Sequence, residues 1–242
     1  MRVFQILLDI VYPQFCAVCG RKTSGAHGRP VCPACLKLTT PLAAPLCQRC
    51  GMPLRQITDA TAAGCRNCRR VRLFFDRAIS VFEYNPVMKI IIHQLKYRRK
   101  TALADPLAER MTGFLANHLP LARIDVVTCV PLHPRRRRSR GFNQAHLLGK
   151  HMADRLNLPY QESVLRRIRQ SKVQAVSSYE QRRDNIADAF RLSDPQAVSG
   201  KTVLLVDDVL TTGATLNECS RVLKAAGATR VFVATLARAL PS

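Results

Sequence analysis

Two adjacent carboxylates, Asp207 and Asp208, lie between an apolar run and a short stretch of small polar residues. The apolar run Thr202 to Val206 predicts a strand buried on both faces, and we expect the two acids where that strand emerges from a parallel sheet. The polar stretch predicts a loop into a helix, and backbone N–H groups at a helix start suit a phosphate. The candidate phosphate-binding residues are Thr211, Thr212, Gly213, Ala214 and Thr215. Carboxylates beside a phosphate can hold ribose hydroxyls or, through water, a Mg²⁺ ion.

An acidic pair near a helix start also has a purely structural explanation, because the helix dipole stabilises it. The complete pattern from Val203 to Thr215, VLLVDDVLTTGAT, favours a ligand site. It resembles the phosphoribosyl-diphosphate (PRPP) binding motif of type I phosphoribosyltransferases. The resemblance implies that Asp207 and Asp208 contact ribose hydroxyls and are the candidate catalytic residues, that the loop holds the 5-phosphate, and that Mg²⁺ accompanies PRPP. Some members of that family have lost turnover, so the resemblance supports binding more strongly than catalysis.

A second group of residues suited to phosphate chemistry follows another predicted strand, Asp125 to Val130. Two prolines and an arginine cluster come next, which predicts a stiff turn and then a flexible basic loop on the ligand side of the sheet. Guanidinium groups bind pyrophosphate oxygens through paired hydrogen bonds. Lys96, at the end of an earlier predicted helix, could reach a phosphate, although the helix dipole alone also favours a cation there. The residues expected to face pyrophosphate or DNA are Lys96, Arg135, Arg136 and Arg140.

Eight of the ten cysteines form four consecutive Cys-x-x-Cys pairs in the first part of the chain. Two such turns joined by a short hairpin complete a four-thiolate zinc ribbon, and this spacing favours zinc over redox chemistry or disulfides. We predict one Zn²⁺ site from the first two pairs and one from the last two, with interleaved pairing as the alternative. His27 could replace a cysteine but is expected in solvent. The predicted ligands are Cys16, Cys19, Cys32 and Cys35 for one ion and Cys47, Cys50, Cys65 and Cys68 for the other.

The 242-residue chain carries 38 Lys and Arg against 16 Asp and Glu, which gives a net charge of +22. Such an excess indicates a polyanionic partner, with nucleic acid as the first candidate and a membrane surface as the second. The apolar run Val3 to Val11 is too short to span a bilayer, so we expect a packed helix there and no transmembrane segment. These features predict a soluble, cytoplasmic protein.

Strands alternate with helices after residue 76, which predicts an α/β fold with an open parallel sheet and ligands at the carboxyl ends of its strands. Asn85 and Asn143 are the expected N-caps of two of its helices. We therefore divide the chain into residues 1–76, a small double zinc-ribbon domain with an N-terminal helix, and residues 77–242, a type I phosphoribosyltransferase-like domain.

Two further motifs make the resemblance more specific. The segments HQLKY, from His93 to Tyr97, and RGFNQA, from Arg140 to Ala145, follow the double zinc ribbon. Together these features resemble the ComF/GntX family over nearly the full chain. Residues 165–190 match the same family at Arg167, Arg169, Gln174, Arg182, Asn185 and Phe190.

The same segment departs from the family at Ser171, Ser177 and Asp188, where threonine, leucine and glycine are usual. The resemblance implies a role in DNA uptake, transformation or use of external DNA, with PRPP and single-stranded DNA as ligands and DNA-uptake proteins as partners. The alternative is an active phosphoribosyltransferase of nucleotide metabolism that uses PRPP and an unidentified acceptor. No side chain stands out as a general base for that acceptor, which limits the argument for turnover.

Overall fold

A computed structural model describes residues 15–23, 30–61, 63–169 and 186–240. The predicted N-terminal helix and the positions His27, Ser171, Gln174, Ser177, Arg182 and Asn185 lie outside these ranges. The strands are β1 Ala60–Thr61, β2 Gly64–Cys65, β3 Arg77–Glu83, β4 Val126–Cys129, β5 Leu165–Arg167, β6 Phe190–Leu192, β7 Thr202–Leu210 and β8 Arg230–Arg238. The α-helices are α1 Pro33–Lys37, α2 Arg66–Arg69, α3 Pro86–Tyr97, α4 Ala104–Ala116, α5 Pro134–Arg140, α6 Gln144–Leu156 and α7 Ala214–Ala225.

The centre of the fold is a four-stranded sheet in the order β3-β8-β7-β4, in which all neighbouring strands are parallel. A parallel bridge between Val127 and Tyr160 extends the sheet beside β4. Residues 203–206 of β7 and 231–237 of β8 are buried without interruption, as expected where both faces of a parallel sheet are covered. The predicted open parallel sheet is therefore confirmed.

Helices cover both faces of this sheet and create two apolar cores. Helices α3, α4 and α6 pack on one face, while α7 and the antiparallel pair of β5 and β6 pack on the other. The side chains of β7 alternate between the two cores, because successive residues of a strand point to opposite faces. Leu204 and Val206 belong to the first core, and Val203 and Leu205 belong to the second.

The cysteine-rich region lies along β3, which is the edge strand of the sheet. The backbone N–H of Ala78 donates to the carbonyl of Arg49 at 2.8 Å, and that of Glu83 donates to the carbonyl of Thr40 at 2.8 Å. Gly51 has φ +69°, and a Cβ there would lie 2.5 Å from the Ala78 carbonyl oxygen, so the close approach requires glycine. These contacts cover backbone groups that an open edge would leave unpaired.

The two groups of cysteines enter different cores. Cys16 and Cys35 pack with α3, α4 and α6 on the first face, whereas the last four cysteines of the region pack with α7 on the second face. The cysteine-rich region therefore supports both sides of the sheet at its β3 edge.

Two predicted boundaries were wrong. Strand β7 continues to Leu210 instead of ending at Val206, because its pairing with β8 continues through Asp207 opposite Thr235 to Leu210 opposite Arg238. Asp207 and Asp208 therefore lie inside the strand and not after it. Helix α7 begins at Ala214, so Ala214 and Thr215 belong to its first turn and not to the loop.

The predicted flexible basic loop was also wrong, since residues 134–140 form α5. Pro134 occupies the first turn, and the side chain of His133 accepts a hydrogen bond from the backbone N–H of Arg135 at 3.3 Å. Gly141 ends the helix with φ +86°. Proline at the first turn and glycine at the end are strong helix boundaries, and arginine is a good helix former.

Among the described residues, no helix combines the length and the apolar character needed to cross a membrane.

Candidate phosphate site and zinc centres

The two carboxylates of β7 have different surroundings. Asp208 is buried, with 6% of its side chain exposed, and forms an ion pair with Lys96 of α3, whose side chain is 21% exposed. Asp207 is half-buried, and its Oδ1 accepts a hydrogen bond from the backbone N–H of Asp208 at 2.8 Å. Because adjacent positions in a strand face opposite sides of the sheet, the carboxylates are not equivalent.

Burial and neighbouring charges together raise the pKa values of both Asp207 and Lys96. Burial, reinforced by the nearby Asp208 carboxylate, holds the pKa of Asp207 well above its usual range. Burial alone would lower the pKa of Lys96, but the Asp208 and Asp207 carboxylates outweigh it, so the pKa of Lys96 is raised. Lys96 therefore remains a cation beside the acids.

The predicted phosphate loop connects β7 to α7. Thr211, Thr212 and Gly213 form the loop, and Gly213 precedes the helix with φ +82°. A Cβ on Gly213 would meet only a side-chain atom of Leu210 at 3.7 Å, so glycine is favoured for its backbone conformation and not for space. The N-terminus of the twelve-residue helix α7 presents unpaired backbone N–H groups beside this loop, an arrangement that favours an anion.

A basic cleft of about 540 Å³ opens between the end of α3 and α5. Its lining residues are Lys96, Tyr97, Arg99, Arg135, Arg136, Ser139 and Arg140. The guanidinium of Arg140 lies 5.0 Å from the centre of the Tyr97 ring and donates to Oε1 of Gln144. Arg136 and Arg140 are half-buried, while Arg135 is exposed. The structure thus brings the four basic residues singled out in the sequence together around one cleft.

Asp188, where the family usually has glycine, has φ +53°. Aspartate tolerates this left-handed conformation better than most residues. Its backbone N–H donates to Glu218 at 2.9 Å, and its carboxylate accepts a hydrogen bond from Arg221 at 2.8 Å. Aspartate at this position therefore adopts a left-handed backbone conformation and forms an ion pair with Arg221 of α7. Of the other residues in that pattern, Arg167 packs over the Phe190 ring at 5.4 Å.

The eight paired cysteines meet in two groups of four, with all sulfur atoms of a group within 4.8 Å of one another. The first cluster contains Cys16, Cys19, Cys32 and Cys35, and the second contains Cys47, Cys50, Cys65 and Cys68. These are the sequential groups and not the interleaved ones. Four thiolates at this spacing fit a tetrahedral Zn²⁺ ion, and the metal would fix the turns that carry them.

The two clusters differ in exposure. All four cysteines of the second cluster are buried, whereas Cys19 of the first cluster is exposed and Cys32 is half-buried. Burial raises the pKa of Cys16, but backbone hydrogen bonds from Cys19, Cys32 and Val18 outweigh it and lower that pKa to about 6. A thiol that ionises near neutral pH is a ready zinc ligand.

Two arginines, buried Arg238 and half-buried Arg77, accompany the second cluster. Arg238, which is 6% exposed, donates through Nη1 to the Cys50 carbonyl at 2.5 Å and places Nη2 3.8 Å from the Cys50 sulfur. Burial lowers the pKa of Arg77, and the negative charge of Cys47 partly offsets this. Four thiolates around Zn²⁺ carry a net charge of −2, so guanidinium groups beside the cluster suit its zinc-loaded form. This charge balance is an independent reason to expect zinc here.

Sequence reasoning did not identify Arg238 or Asn217 as residues of interest. Arg238 follows the mostly apolar run of residues 231–237 in β8, and a cation in that position is a signal that its charge has a partner. The partner, Cys50, is 188 residues away in the sequence, so local spacing could not indicate it. Asn217 lies on α7 among apolar residues and binds the segment that follows the second cluster. The signal for Asn217 was an amide on the buried face of a helix, because a buried amide usually has a hydrogen-bond partner.

Comparison with known proteins agrees with this architecture. Residues 7–69 match the double zinc ribbon domain, and residues 143–240 match the phosphoribosyl transferase domain. The chain is thus a double zinc ribbon followed by a phosphoribosyltransferase domain. It is 32% identical over 236 residues to DNA utilization protein YhgH of Salmonella typhi, covering 96% of this chain and 100% of that protein.

A second relative is Competence protein F of Haemophilus influenzae, which is 31% identical over 203 residues, with 81% of this chain and 85% of that protein covered. Among solved structures, phosphoribosylpyrophosphate synthetase from Mycobacterium smegmatis is similar over 56% of this chain and 34% of that chain, with a TM-score of 0.36 and 21% identity. On the sequence relatives, the chain belongs to the ComF/GntX family.

Proposed function

We propose that the chain binds PRPP with Mg²⁺ at the carboxyl end of β7. The observation that carries this proposal is the Lys96–Asp208 ion pair, which connects the acidic motif of β7 to the basic cleft between α3 and α5. A ligand with a ribose between a phosphate and a pyrophosphate needs acids in the middle and cations or N–H groups at both ends. The acids, the loop and the cleft supply these three groups.

In this proposal, the N–H groups of the loop Thr211–Gly213 and of the first turn of α7, with Ala214 and Thr215, hold the 5-phosphate. Asp207 and Asp208 accept hydrogen bonds from the ribose hydroxyls. The cations of the basic cleft hold the pyrophosphate, and Lys96 shares its charge between Asp208 and a pyrophosphate oxygen. Mg²⁺, when bound, neutralises charge on the pyrophosphate, and the two carboxylates are the residues that would hold it through water.

The second candidate function is transfer of the phosphoribosyl group to an acceptor. The residues would then act by positioning the ribose and by stabilising the charge that develops on the departing pyrophosphate, with Asp207 and Asp208 as the catalytic residues. The basic cleft favours this candidate, because half-buried Arg136 and Arg140 are placed to hold a leaving group. Binding without transfer remains the function that we favour, since none of the described residues of the site is suited to activate an acceptor.

We further propose a cytoplasmic role in the handling of single-stranded DNA. The support is the net charge of +22, the exposed arginines Arg135 and Arg138 on α5, and relatives named as competence and DNA utilization proteins. Arginines at the rim of the cleft would bind the DNA backbone, and DNA-uptake proteins are the proposed partners.

We also propose that residues 1–76 form the zinc-ribbon domain and residues 77–242 the phosphoribosyltransferase domain.

Asp207→Asn is expected to abolish PRPP binding while making the chain more stable at pH 7. The pKa of Asp207 is raised in the fold, so the unfolded chain loses this proton first as pH rises, and the ionised carboxylate lowers stability above the unfolded pKa of about 3.9. Asparagine does not ionise, so the variant keeps its stability as the pH rises. We expect a Tm about 2–4 °C higher at pH 7, equivalent to ~1 kcal/mol, and no difference below pH ~4. Calorimetry with PRPP and Mg²⁺ and thermal unfolding at several pH values provide the measurements.

A wild-type chain that gives no heat with PRPP and Mg²⁺ would refute the binding proposal. Asp194→Asn is the matched control, because this exposed carboxylate lies away from the loop and caps a short 3₁₀ helix. It should leave PRPP affinity unchanged. Release of pyrophosphate with a panel of acceptors would favour the phosphoribosyltransferase over a binding protein.

Binding of single-stranded DNA should weaken steeply with salt, and Arg135→Ala/Arg138→Ala should reduce that salt dependence. For single strands, the slope of log K against log salt is about −0.7 per phosphate contact, so loss of two contacts changes it by about 1.4. Fluorescence anisotropy of a labelled oligonucleotide between about 50 and 200 mM salt measures the slope. Arg230→Ala, at an exposed position on β8, is the control. No binding at the lowest salt contradicts the DNA proposal.

A further inference from the structure

We propose that zinc at the second cysteine cluster orders the phosphate loop, and that Arg238 and Asn217 are the positioning residues that connect the two. The phosphate loop is the segment Thr211–Gly213. The consequence for ligand affinity rests on the proposed function, whereas the effect of zinc on loop order does not. This connection is specific to the second cluster, because its cysteines, unlike Cys16 and Cys35, pack in the same core as Leu210 and α7.

Arg238 connects the cluster to the residue before the loop. Its side chain contacts both the carbonyl and the sulfur of Cys50. Its backbone is paired with Leu210, and the next residue, Ala239, donates its N–H to the Leu210 carbonyl at 2.9 Å. Leu210 is followed directly by Thr211. A Cys50 fixed by zinc therefore fixes Arg238, and Arg238 fixes the strand end from which the loop begins.

Asn217 connects the cluster to the helix after the loop. Its side chain is 9% exposed, accepts a hydrogen bond from the Phe74 N–H at 2.7 Å and donates to the Arg72 carbonyl at 2.9 Å. Residues 72–74 follow the last cysteine of the cluster. Since Asn217 lies in the first turn of α7, the same segment holds the N-terminus that presents N–H groups to the loop.

The turn between Cys47 and Cys50 also contacts the segment that follows the second cluster. Arg49 lies between the ligands Cys47 and Cys50, and its guanidinium donates to the carbonyls of Leu73 and Phe75, each at 3.4 Å. The loop is thus supported at both ends by residues whose positions depend on one metal site.

Coupling of this kind is reciprocal for binding. If zinc at the second cluster orders the loop, an anion that orders the loop retains the zinc. Coupling between two sites usually changes binding affinity by 5- to 150-fold. We expect an effect within that range here, because the loop is held at both of its ends. The expected sign is positive cooperativity, because the metal removes conformational freedom that the anion would otherwise have to remove.

The test uses the full zinc-loaded chain and the variants Arg238→Lys and Asn217→Ala, with Arg230→Lys as the matched arginine on the same strand. Lysine keeps the charge of Arg238 but lacks the forked guanidinium that contacts two atoms of Cys50. A chromogenic chelator measures the rate of zinc release, and the rate of amide hydrogen exchange measures the order of residues 209–216. We expect roughly tenfold faster release of one zinc and roughly tenfold faster exchange in both variants, with the control at wild-type values.

Calorimetry with PRPP and Mg²⁺ gives a third measurement, with affinity expected to fall about five- to tenfold in both variants. Unchanged exchange at residues 209–216 in Arg238→Lys and Asn217→Ala overturns the inference, and so does exchange that rises there no more than in the buried core of β7 at residues 203–206. If the wild type does not bind PRPP, the proposed function fails, and the exchange and zinc-release data still decide whether zinc orders the loop.

Discussion

Cys47→Ser is expected to remove zinc from the second cluster and to abolish the cooperative unfolding transition of the chain, whereas Cys19→Ser is expected to leave a folded sheet. The difference follows from where the two cysteines lie. Cys47 is fully buried in the core shared by β7, β8 and α7, and Cys19 is exposed at the outer end of the first cluster.

The size of the effect follows from the energy of zinc binding. Structural zinc contributes about 10–16 kcal/mol in zinc-finger peptides, and a typical domain is stable by only about 5–15 kcal/mol. A serine in the second cluster also leaves three buried thiols and the buried cation Arg238 without their charge balance. The loss therefore exceeds what the remaining core can offset.

Zinc content by mass spectrometry and thermal unfolding by circular dichroism provide the measurements. Cys219→Ala is the control, because Cys219 is a buried cysteine in the same core but outside both clusters. It should keep two zinc ions and lose only about 1 kcal/mol of stability. Equal loss of stability in Cys47→Ser and Cys19→Ser would contradict the unequal roles of the two clusters.

The features that the sequence made predictable are those fixed by neighbouring residues. Asn85 and Asn143 cap α3 and α6 through backbone N–H groups two or three positions later. The glycines after two of the Cys-x-x-Cys turns, Gly20 and Gly51, have positive φ as a knuckle requires. A short turn or cap depends on so few residues that its pattern is present in the sequence itself.

Features fixed by distant pairing were not predictable. Two aspartates suggest the end of a buried strand, but the length of β7 is set by its hydrogen bonds to β8. Five arginines suggest a solvated loop, but His133, Pro134 and Gly141 bound a helix there. The packing of each cysteine cluster into a separate face of the sheet depends on the route of the whole chain.

In the candidate site, too, the local features were predictable and the long-range connections were not. The loop and its acids were visible as a motif, and the basic residues were visible as a cluster. Their connection through Lys96 and Asp208 was not, because a helix and a strand far apart in the sequence had to be brought together. The sequence therefore predicted the residues of the candidate site, while their arrangement in space required the fold.

Lys96→Met is expected to lower the free energy of unfolding by about 3–5 kcal/mol, the usual cost of leaving one member of a buried ion pair without its partner. Methionine keeps most of the apolar stem of lysine and removes its charge. Asp208 would then be a carboxylate with 6% of its side chain exposed and no neighbouring cation from α3. Urea unfolding with linear extrapolation measures the change.

The double variant Lys96→Met/Asp208→Asn separates charge from packing. Because it removes both charges, we expect it to recover all but about 1–2 kcal/mol of the loss, and the double-mutant cycle gives the energy of the pair. Lys89→Met, at an exposed position of the same helix, should change stability by no more than about 0.5 kcal/mol. A Lys96→Met chain as stable as this control would show that solvent screens the pair. The double variant should also stay folded yet bind no PRPP, because it lacks both the Lys96 cation and the Asp208 carboxylate of the proposed site.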